Sequence, residues 1–587
     1  METINDVHLQ FAAYFHAKEI APYLYLLSQM MEEGSTCLYV AGIEKEKKDN
    51  FPFDLDQYEV SAIAGSPLVN RGEAMSDRPF VWDRDRLYLQ RYFRYEIGLI
   101  AKIKEMVVAG NGKSSEKAAQ LVPLKSQLDR LFPPGTTDTD WQKVAACFAL
   151  LNDFTIITGG PGTGKTTTVS RILALLLMQN PHATIALAAP TGKAAARMTE
   201  SLRNAANSFS KAVQEKFASL QPSTIHRLLG TIKGSIYFKH HKNNPLHYDI
   251  IVVDESSMID IALFSKLMDA VGPDTRLILL GDKDQLSSVE VGSLFGDLCK
   301  TVTSLNHFSK NKLALIDAIL DEDNLKENND ADFLQDNIVE LKESRRFDKN
   351  KGIGKLADAV INNKAEVLKS LLHKDMEEQV VFDFNYSESV WKDFAKDYTN
   401  YIEEKNIKVA LLAFDRQRIL CAVRDGEYGT RRMNQKIEDY LSGLQKLNRK
   451  DTYYENRPIM VLENNYELGL YNGDIGILRK DEDGMMKAWF LDNDNKETGL
   501  KAVLPGLISN METVFAMTIH KSQGSEFDKV MVVLPDYNRS AQLLTREILY
   551  TAITRAKKFV TIVATERTIT ETIAHQVQRS SGVSVRL

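Results

Sequence analysis

Short runs of consecutive apolar residues recur in two parts of the chain, and stretches with helical periodicity separate most of them. The first group lies between residues 154 and 281 and reads FTIITG, TIALAAP, DIIVVDE and RLILLGD. The second lies between about residues 408 and 564 and reads KVALLAF, VFAMTI, KVMVVLP and FVTIVAT. Runs of this kind are typical of strands that are buried on both faces of a parallel sheet. The pattern therefore predicts an α/β fold with two doubly wound units.

Two other patterns lie outside these runs. Before residue 109, four apolar positions would share one helix face, which favours packing in a core over a platform for nucleic-acid bases. These positions are Leu89, Tyr92, Phe93 and Ile97. Small and polar residues at 109–117 indicate a linker or a loop. Within residues 430–512, alternating apolar positions and the pair Asn472-Gly473 predict a small β insertion in the second unit.

Composition narrows the classes of protein that fit. The 587 residues include 73 Lys and Arg against 79 Asp and Glu, a net charge of −6, so any contact with a polyanion requires a local basic groove. The four cysteines form no CxxC pair, which argues against zinc ligation and a disulfide framework. The longest aliphatic run, Ile172 to Met178, is far shorter than the roughly 20 residues of a membrane span. No secretory signal is visible, so a cytoplasmic protein without membrane contact is expected.

The segment from Gly159 to Thr166 fits the phosphate-binding pattern G-x-x-x-x-G-K-[ST], with an apolar run before it and a helical stretch after it. Its glycines let backbone N–H groups turn towards phosphate oxygens, and the start of the helix adds positive charge. Lys165 would reach the β- and γ-phosphates of ATP, and the Thr166 hydroxyl would ligate Mg²⁺. The alternative, a Gly-rich turn without a ligand, does not explain the flanking strand and helix. The residues expected to hold the nucleotide are Gly159, Gly160, Pro161, Gly162, Thr163, Gly164, Lys165, Thr166 and Thr167.

An acidic pair about 90 residues later supplies further chemistry of an ATPase. Asp254 ends the apolar run DIIVV, where its carboxylate can hold Mg²⁺ together with Thr166. Glu255 follows directly and can orient or deprotonate the attacking water. This pair favours hydrolysis of ATP over transfer of the phosphoryl group to a second substrate.

More motifs follow in order: LILLGDKDQLSSVEVGSLFGDL, ESRRF, AMTIHKSQGSEFDKVMVVLP and LYTAITRAKK. They resemble the motifs of superfamily 1 DNA helicases, and more closely those of the RecD family, the alpha subunits of RecBCD helicase–nucleases. The resemblance extends from about Trp141 to Lys558, and it continues more faintly into DRLYLQRYFRYE before that. It implies two RecA-like P-loop domains, an SH3-like β insertion in the second, and a mainly helical N-terminal domain. The expected ranges are 1–115 for the N-terminal domain, 116–340 for the first RecA-like domain with a hairpin insertion at about 231–249, and 341–587 for the second with its β insertion at about 430–512.

The resemblance also implies roles for single residues. It places Gln142 against the adenine, Gln285 beside the γ-phosphate, and an arginine finger at both Arg346 and Arg555. The family usually has an aromatic residue where this chain has Arg345, so either member of the pair Arg345–Arg346 could be the finger. The residues implied to grip DNA phosphates without reading bases are Thr191, Lys193, Thr224, His226, Thr518 and His520.

The activity implied is ATP-dependent 5′-to-3′ translocation on single-stranded DNA and unwinding of tailed or blunt duplexes. The chain would be the motor that works with the beta and gamma subunits of a RecBCD-type heterotrimer in double-strand break repair and homologous recombination. One alternative is a stand-alone RecD-like helicase, but those usually have a longer N-terminal extension. Another is a regulatory ATPase subunit without unwinding activity, which the intact ATPase residues disfavour. A nuclease would need a separate acidic domain, and none is visible after Lys558.

Overall fold

The chain folds into two parallel α/β domains, a segment before them and a β insertion within the second domain. A computed structural model describes all residues except 1–5, 44–50, 74, 134–138, 289, 321–323, 329–331, 373–378, 466, 493–494, 496 and 537–542. No helix within the described ranges is both long and apolar enough to cross a membrane. The four cysteines are buried and free.

The segment before the first domain combines helices with a small sheet. Its elements are α1 (Val7–Tyr14), α2 (Ala21–Glu32), β1 (Cys37–Tyr39), α3 (Ser61–Gly65), β2 (Val69–Arg71), β3 (Phe80–Asp83), β4 (Arg86–Leu89) and α4 (Gln90–Gly112). The strands lie in the order β1-β4-β3-β2. The mainly helical domain that the family resemblance implies thus also contains a four-stranded sheet. Strands of three or four residues contain too few alternating positions to be recognised from the sequence.

The first domain is built on a six-stranded parallel sheet of order β12-β5-β9-β8-β6-β7. Its elements are α5 (Ser114–Leu121), α6 (Lys125–Leu131), α7 (Trp141–Leu151), β5 (Phe154–Gly159), α8 (Lys165–Gln179), β6 (Ile185–Ala189), α9 (Gly192–Ala206), α10 (Lys211–Ser219), β7 (Ser223–Thr224), α11 (Ile225–Leu229), β8 (Ile250–Val253), α12 (Ile261–Ala270), β9 (Arg276–Gly281), α13 (Leu294–Cys299), β10 (His307–Phe308), α14 (Lys310–Ile316), β11 (Lys326–Glu327) and β12 (Ile338–Leu341). The four apolar runs predicted as strands here form β5, β6, β8 and β9. They are almost completely buried, since hydrophobic cores cover both faces of the sheet.

The second domain has a five-stranded parallel sheet of order β13-β22-β21-β14-β20. Its elements are α15 (Gly352–Ile361), α16 (Ala365–Leu372), β13 (Val380–Asp383), α17 (Glu388–Lys396), α18 (Thr399–Glu403), α19 (Ile407–Phe414), β14 (Gln417–Cys421), α20 (Thr430–Gly443), β15 (Pro458–Val461), β16 (Ile475–Lys480), β17 (Met486–Leu491), β18 (Leu500–Val503), β19 (Met511–Thr513), β20 (Ala516–Thr518), β21 (Phe527–Val533), α21 (Arg546–Ile553), β22 (Ala556–Val563) and α22 (Glu566–Ala574). Strands β15 to β19 form a separate antiparallel sheet, the β insertion, in the order β18-β17-β16-β15-β19.

One predicted strand of the second domain is wrong. The run KVALLAF lies in helix α19, which is capped by the side chain of Asn406. Its buried positions, Ala410, Leu411 and Phe414, recur at helical spacing, so the continuous apolar run conceals a helical period. The strand follows as β14, which contains the fully buried Arg418 and therefore does not read as an apolar run.

Helix α4 belongs structurally to the first domain as well as to the segment before it. Its second half packs against α12 and contributes Leu99, Ile103 and Val107 to the core on one face of the first sheet. Phe93, one of the residues predicted to line a helix face, is buried near the start of α4. The helix therefore fixes the N-terminal segment onto the first domain.

Residues 576–587, which we call the return segment, leave α22 of the second domain and pack against the N-terminal segment. The backbone N–H of Thr36 donates to the carbonyl of Ser580 (2.9 Å). Arg586 forms an ion pair of 2.9 Å with Glu96, a carboxylate that is fully buried in α4. The return segment therefore fixes the last described residues of the chain onto the N-terminal segment.

Candidate nucleotide and DNA site

The phosphate-binding loop lies between the end of β5 and the start of α8. Gly162 and Gly164 have φ of 79° and 84°, a left-handed conformation that turns the loop and that other residues rarely adopt. The amide of Gln142, on α7, donates to the carbonyl of Thr163 (2.9 Å), so this residue touches the loop itself. The carbonyl of Pro161 accepts a hydrogen bond (2.9 Å) from the hydroxyl of Ser344. Ser344 lies in residues 342–351, the linker between the two domains. Contacts from both sides therefore hold the curled loop in place.

Carboxylates at the ends of two neighbouring strands stand beside this loop. Asp254 follows β8 and Asp282 follows β9; burial raises the pKa of both, and the charge of Lys165 opposes that rise. The Thr166 hydroxyl hydrogen-bonds Asp254, so two oxygen donors of the kind that Mg²⁺ prefers lie together. Glu255 has a left-handed backbone (φ 51°), a strained conformation that concentrates at functional sites. These residues fit the predicted magnesium site and the position of a residue that orients water.

The second domain closes over the loop with two buried side chains. Arg555 donates to the side-chain oxygen of Gln285 across the gap between the domains. The Tyr550 hydroxyl donates to Asp282 (3.3 Å) and lies next to Gly160, where an added Cβ would be 3.0 Å from it. Residues of both domains therefore meet in this gap, as the predicted roles of Gln285 and Arg555 require.

Hydrogen bonds at Leu286 fix the two domains against each other beside this contact. Its backbone N–H donates to the hydroxyl of Thr551 (2.9 Å), and its carbonyl accepts from the Gln523 amide (2.7 Å). Leu286 follows Gln285 in the first domain, whereas Thr551 and Gln523 belong to the second. The position of Gln285 is therefore tied to the closure of the gap.

The linker between the domains carries the pair of adjacent arginines and lies directly on the loop. The Arg345 N–H donates to the carbonyl of Gly162 (2.9 Å), and a Cβ added to Gly162 would be 2.4 Å from the Cβ of Arg346. Arg345 is exposed, whereas Arg346 is half-buried and forms an ion pair with Glu526 of the second domain. Of the two arginines, Arg346 therefore reaches into the gap.

Glu526 lies among three cations that come from different parts of the fold. Besides Arg346, Arg197 of α9 lies 3.8 Å away and Lys557 of β22 lies 3.3 Å away. Burial acts to raise the pKa of Glu526, but Arg346 and Arg197 outweigh it and lower the pKa to about 2. The ionised carboxylate therefore holds the linker, the first domain and the second domain together.

Three side chains of this site are absent from the set predicted from sequence: Asp282, Tyr550 and Glu526. Asp282 carries a readable signal, because it follows a buried apolar strand just as Asp254 does. Tyr550 and Glu526 make their contacts across the gap, and no feature of their local sequence indicates those contacts.

The threonines predicted to grip DNA stand at the carboxyl ends of parallel strands. Thr191 caps α9 after β6 and Thr224 caps α11 at the end of β7, each by accepting a backbone N–H bond of 3.2 Å. Thr518 ends β20 in the second sheet. In the first domain this is also the sheet edge that carries the phosphate-binding loop, so a strand of DNA gripped there would run beside the nucleotide site.

Lys193, on α9, lies near two carboxylates of the second domain. Burial lowers its pKa to about 8, which the nearby carboxylates of Asp415 and Asp474 oppose. A Cβ added to the preceding Gly192 would be 3.1 Å from the side chain of Tyr471 in the β insertion. The β insertion therefore covers the start of α9, where two of the predicted DNA contacts lie.

The two predicted DNA-contacting histidines lie in different domains. Burial lowers the pKa of both His226 and His520, so both imidazoles are neutral at pH 7. The ring of His226 packs edge-on against Phe238 (5.7 Å). Phe238 pairs with Thr231 in an isolated antiparallel bridge inside the predicted hairpin insertion. His520 follows β20, close to Thr518.

Comparison with known proteins places this arrangement in a family. Residues 142–291 match the model of an AAA domain, and residues 513–563 match that of a UvrD-like helicase C-terminal domain. The RecBCD enzyme subunit RecD of Mycobacterium tuberculosis strain H37Rv is 34% identical over 569 residues, which cover 95% of this chain and 89% of that protein. The RecBCD enzyme subunit RecD of Haemophilus influenzae is 34% identical over 560 residues, 89% of this chain and 83% of that protein. A crystal structure of Bacteroides Pif1 bound to single-stranded DNA is 17% identical over 74% of this chain and 94% of its own, with a TM-score of 0.35. Because the two RecD relatives extend over most of both chains, this chain belongs to the RecD family of superfamily 1 DNA helicases.

Proposed function

We propose that this chain is the 5′-to-3′ motor subunit of a RecBCD-type complex, acting in double-strand break repair and homologous recombination. As a RecD-family protein it is an ATP-dependent DNA helicase. The observation that carries the proposal is the closed gap, in which Arg555 of the second domain bonds Gln285 of the first beside the phosphate-binding loop. An enzyme that only hydrolysed ATP would not need its catalytic residues divided between two domains that each also carry DNA-gripping positions.

The hydrolytic step follows from the residues around the loop. Lys165 and the loop N–H groups would bind the β- and γ-phosphates, and Glu255 would orient the attacking water. Thr166 and Asp254 would hold Mg²⁺, which supplies Lewis-acid polarisation of the phosphates when bound. Arg555 and Arg346 would then stabilise the negative charge that develops on the phosphoryl oxygens.

ATP hydrolysis would be coupled to movement on DNA because the phosphate-binding loop and the predicted DNA contacts lie at the same edge of the first sheet. Thr191 and Thr224 on the first domain and Thr518 on the second would grip phosphates of one strand, without sequence preference. Opening and closing of the gap changes the distance between these two grips, so each cycle would move one domain along the strand. The β insertion, of the SH3-like type expected from the family, would keep the strand against α9 through Tyr471.

The partners we propose are the beta and gamma subunits of the complex. The N-terminal segment would dock on the gamma subunit, and the beta subunit would be the opposing motor. Strand cleavage would be the task of a partner, in keeping with the expectation from the sequence that this chain carries no separate acidic nuclease domain.

ATP hydrolysis by the purified chain, with and without single-stranded DNA, tests the proposal. Strong stimulation by DNA is expected, and Lys165→Gln should abolish it because the β- and γ-phosphates lose their cation. Lys211→Gln removes an exposed lysine at the start of α10 and serves as the matched control, with unchanged activity. Hydrolysis by Lys165→Gln at the wild-type rate would overturn the assignment of the site.

Unwinding by the complex with its beta and gamma subunits tests polarity and distinguishes a motor from a regulatory ATPase. A duplex with a 5′ single-stranded tail should be unwound, and one with a 3′ tail should not, when the beta subunit is inactivated. Unwinding only from the 3′ tail would refute the direction. Absence of any unwinding, with DNA-stimulated hydrolysis intact, would favour the regulatory alternative.

A further inference from the structure

A cavity of about 250 Å³ lies where the N-terminal segment, the first domain and the return segment meet. It is separate from the nucleotide loop, and none of its lining residues belongs to the predicted site. The N-terminal segment contributes Arg86, the first domain contributes Asp297 and Lys300, and the return segment contributes Arg579 and Ser584, with other residues around them. The cavity thus exists only because three parts of the chain come together.

The lining is rich in positive charge. Arg86, Lys300 and Arg579 carry three cationic groups, against one carboxylate, Asp297. Asp297 is already engaged, because it is buried in α13 and hydrogen-bonded by the hydroxyl of Ser581. The serine hydroxyls of the return segment add neutral donors, so the lining offers donors and positive charge to an anion.

Arg579 has unused hydrogen-bonding capacity. Its Nη2 donates to the carbonyl of Ser288 (2.9 Å), and its guanidinium packs against the backbone of Gly34. Its Nε and Nη1 are buried and have no acceptor among the residues that the structure describes. Buried N–H groups without an acceptor are unfavourable, and an anionic oxygen is the acceptor that best satisfies a guanidinium.

The position of Arg579 connects this cavity to the DNA path. Ser288 lies three residues after Gln285, and Arg579 is close enough to His520 that its charge helps to lower the pKa of that histidine. His520 is one of the positions predicted to contact DNA. A phosphate in the cavity would therefore lie next to the proposed track of the strand.

We propose that this cavity binds a phosphate group, held by Arg86, Lys300 and Arg579. The group would be a backbone phosphate of single-stranded DNA beyond the grip at His520, or a phosphate of a free nucleotide. The chemistry of recognition is the same for both sources, and only the first rests on the proposed motor function. Because the cavity is formed partly by the return segment, phosphate binding would also stabilise the contact of that segment with the first domain.

The first arm of the test measures DNA binding as a function of salt. Lys300→Gln changes an exposed lysine, so the fold is retained, and Lys310→Gln on α14 is the matched control outside the cavity. For single-stranded DNA, a plot of the logarithm of the binding constant against the logarithm of the salt concentration has a negative slope. Loss of one phosphate contact in Lys300→Gln should make this slope less steep by about 0.7, and Lys310→Gln should leave it unchanged. Ser584→Asp places a negative charge at the exposed rim and should weaken binding further. A short oligonucleotide that fills only the gap should not distinguish these variants from the wild type.

The second arm uses inorganic phosphate with the nucleotide loop filled by a non-hydrolysable ATP analogue. Line broadening of the phosphorus NMR signal by the wild type, lost in Lys300→Gln and kept in Lys310→Gln, would show a site for free phosphate. A changed salt slope alone assigns the site to the DNA strand, and changed broadening alone assigns it to a free phosphate. If neither measurement distinguishes Lys300→Gln from Lys310→Gln, the proposal is wrong. DNA-stimulated hydrolysis by the wild type, measured in parallel, reports separately on the motor function.

Discussion

Replacing Glu526 by glutamine tests whether the ion cluster in the gap holds the linker and the two domains together. The substitution keeps the size of the side chain but removes the charge that pairs with Arg346, Arg197 and Lys557. The pKa of Glu526 falls from an ordinary 4.5 to about 2. Since one pKa unit corresponds to about 1.4 kcal/mol, the ionised carboxylate stabilises the folded state by about 3 kcal/mol.

The stability that the Glu526 carboxylate contributes should decrease as the pH falls. Because the pKa of Glu526 is lower in the folded than in the unfolded chain, its stabilisation is complete above about pH 4.5 and is lost as the pH falls towards 2. Urea unfolding should show Glu526→Gln to be less stable than the wild type by about 2–3 kcal/mol at pH 7. The difference should fall to about half by pH 3, where much of the carboxylate of the unfolded chain is protonated.

A matched control separates this cluster from ordinary surface pairs. Glu388 pairs with Lys392 one helical turn away, but its side chain is 74% exposed. Glu388→Gln should leave the unfolding midpoint unchanged, because exposed ion pairs contribute little. Equal stability of Glu526→Gln and the wild type at pH 7, or a difference that persists undiminished at pH 3, would refute the reasoning.

Other substitutions test the loop, the gap and a histidine. Gly162→Ala forces a left-handed backbone at a cost of about 1–2 kcal/mol and presses on Arg346, so thermal stability and ATP hydrolysis should both fall. Gly112→Ala, which has open space around the added Cβ, should lower neither. Tyr550→Phe removes a hydrogen bond across the gap, and kcat/KM for ATP should fall several-fold in a steady-state assay. His226→Asn should leave the salt dependence of single-strand binding at pH 7.5 unchanged, because the imidazole is neutral there, and a slope lowered by about 0.7 would contradict this.

The parallel α/β architecture is confirmed because its strands are buried on both faces, which makes them continuous apolar runs. The same criterion gave the wrong answer for KVALLAF, where α19 exposes Val409 and Leu412 to solvent and hides its period. The criterion also fails to detect β14, because Arg418 interrupts the apolar run in the middle of that strand. Backbone carbonyls and aromatic rings nevertheless keep Arg418 buried. Apolar runs therefore predict a buried environment more reliably than they predict a strand.

Some residues of the candidate site can be predicted from the local sequence, and others are brought to the site only by tertiary structure. The loop from Gly159 to Thr166 is readable because its glycines, lysine and threonine act within one continuous turn. The contacts of Glu526 and Tyr550 depend on how the second domain closes, which no local pattern records. The roles predicted for Arg346 and Arg555 remain predictions, supported by the place of both side chains in the gap.

The chain enters the second domain through the segment that lies on the phosphate-binding loop, and it leaves that domain through the return segment, so both ends of the domain are held by the rest of the molecule. From Ala574, the last residue of α22, to Ser580 the chain makes only six residue-to-residue steps, which span at most about 21 Å even when fully extended. In the proposed motor cycle, a second domain whose chain is held at both of its ends would have fewer ways to move than one held at a single end. The return segment would then limit how far the gap opens, and through the bonds of Ser580 and Arg586 it would couple that opening to the N-terminal segment, the part of the chain proposed to face a partner.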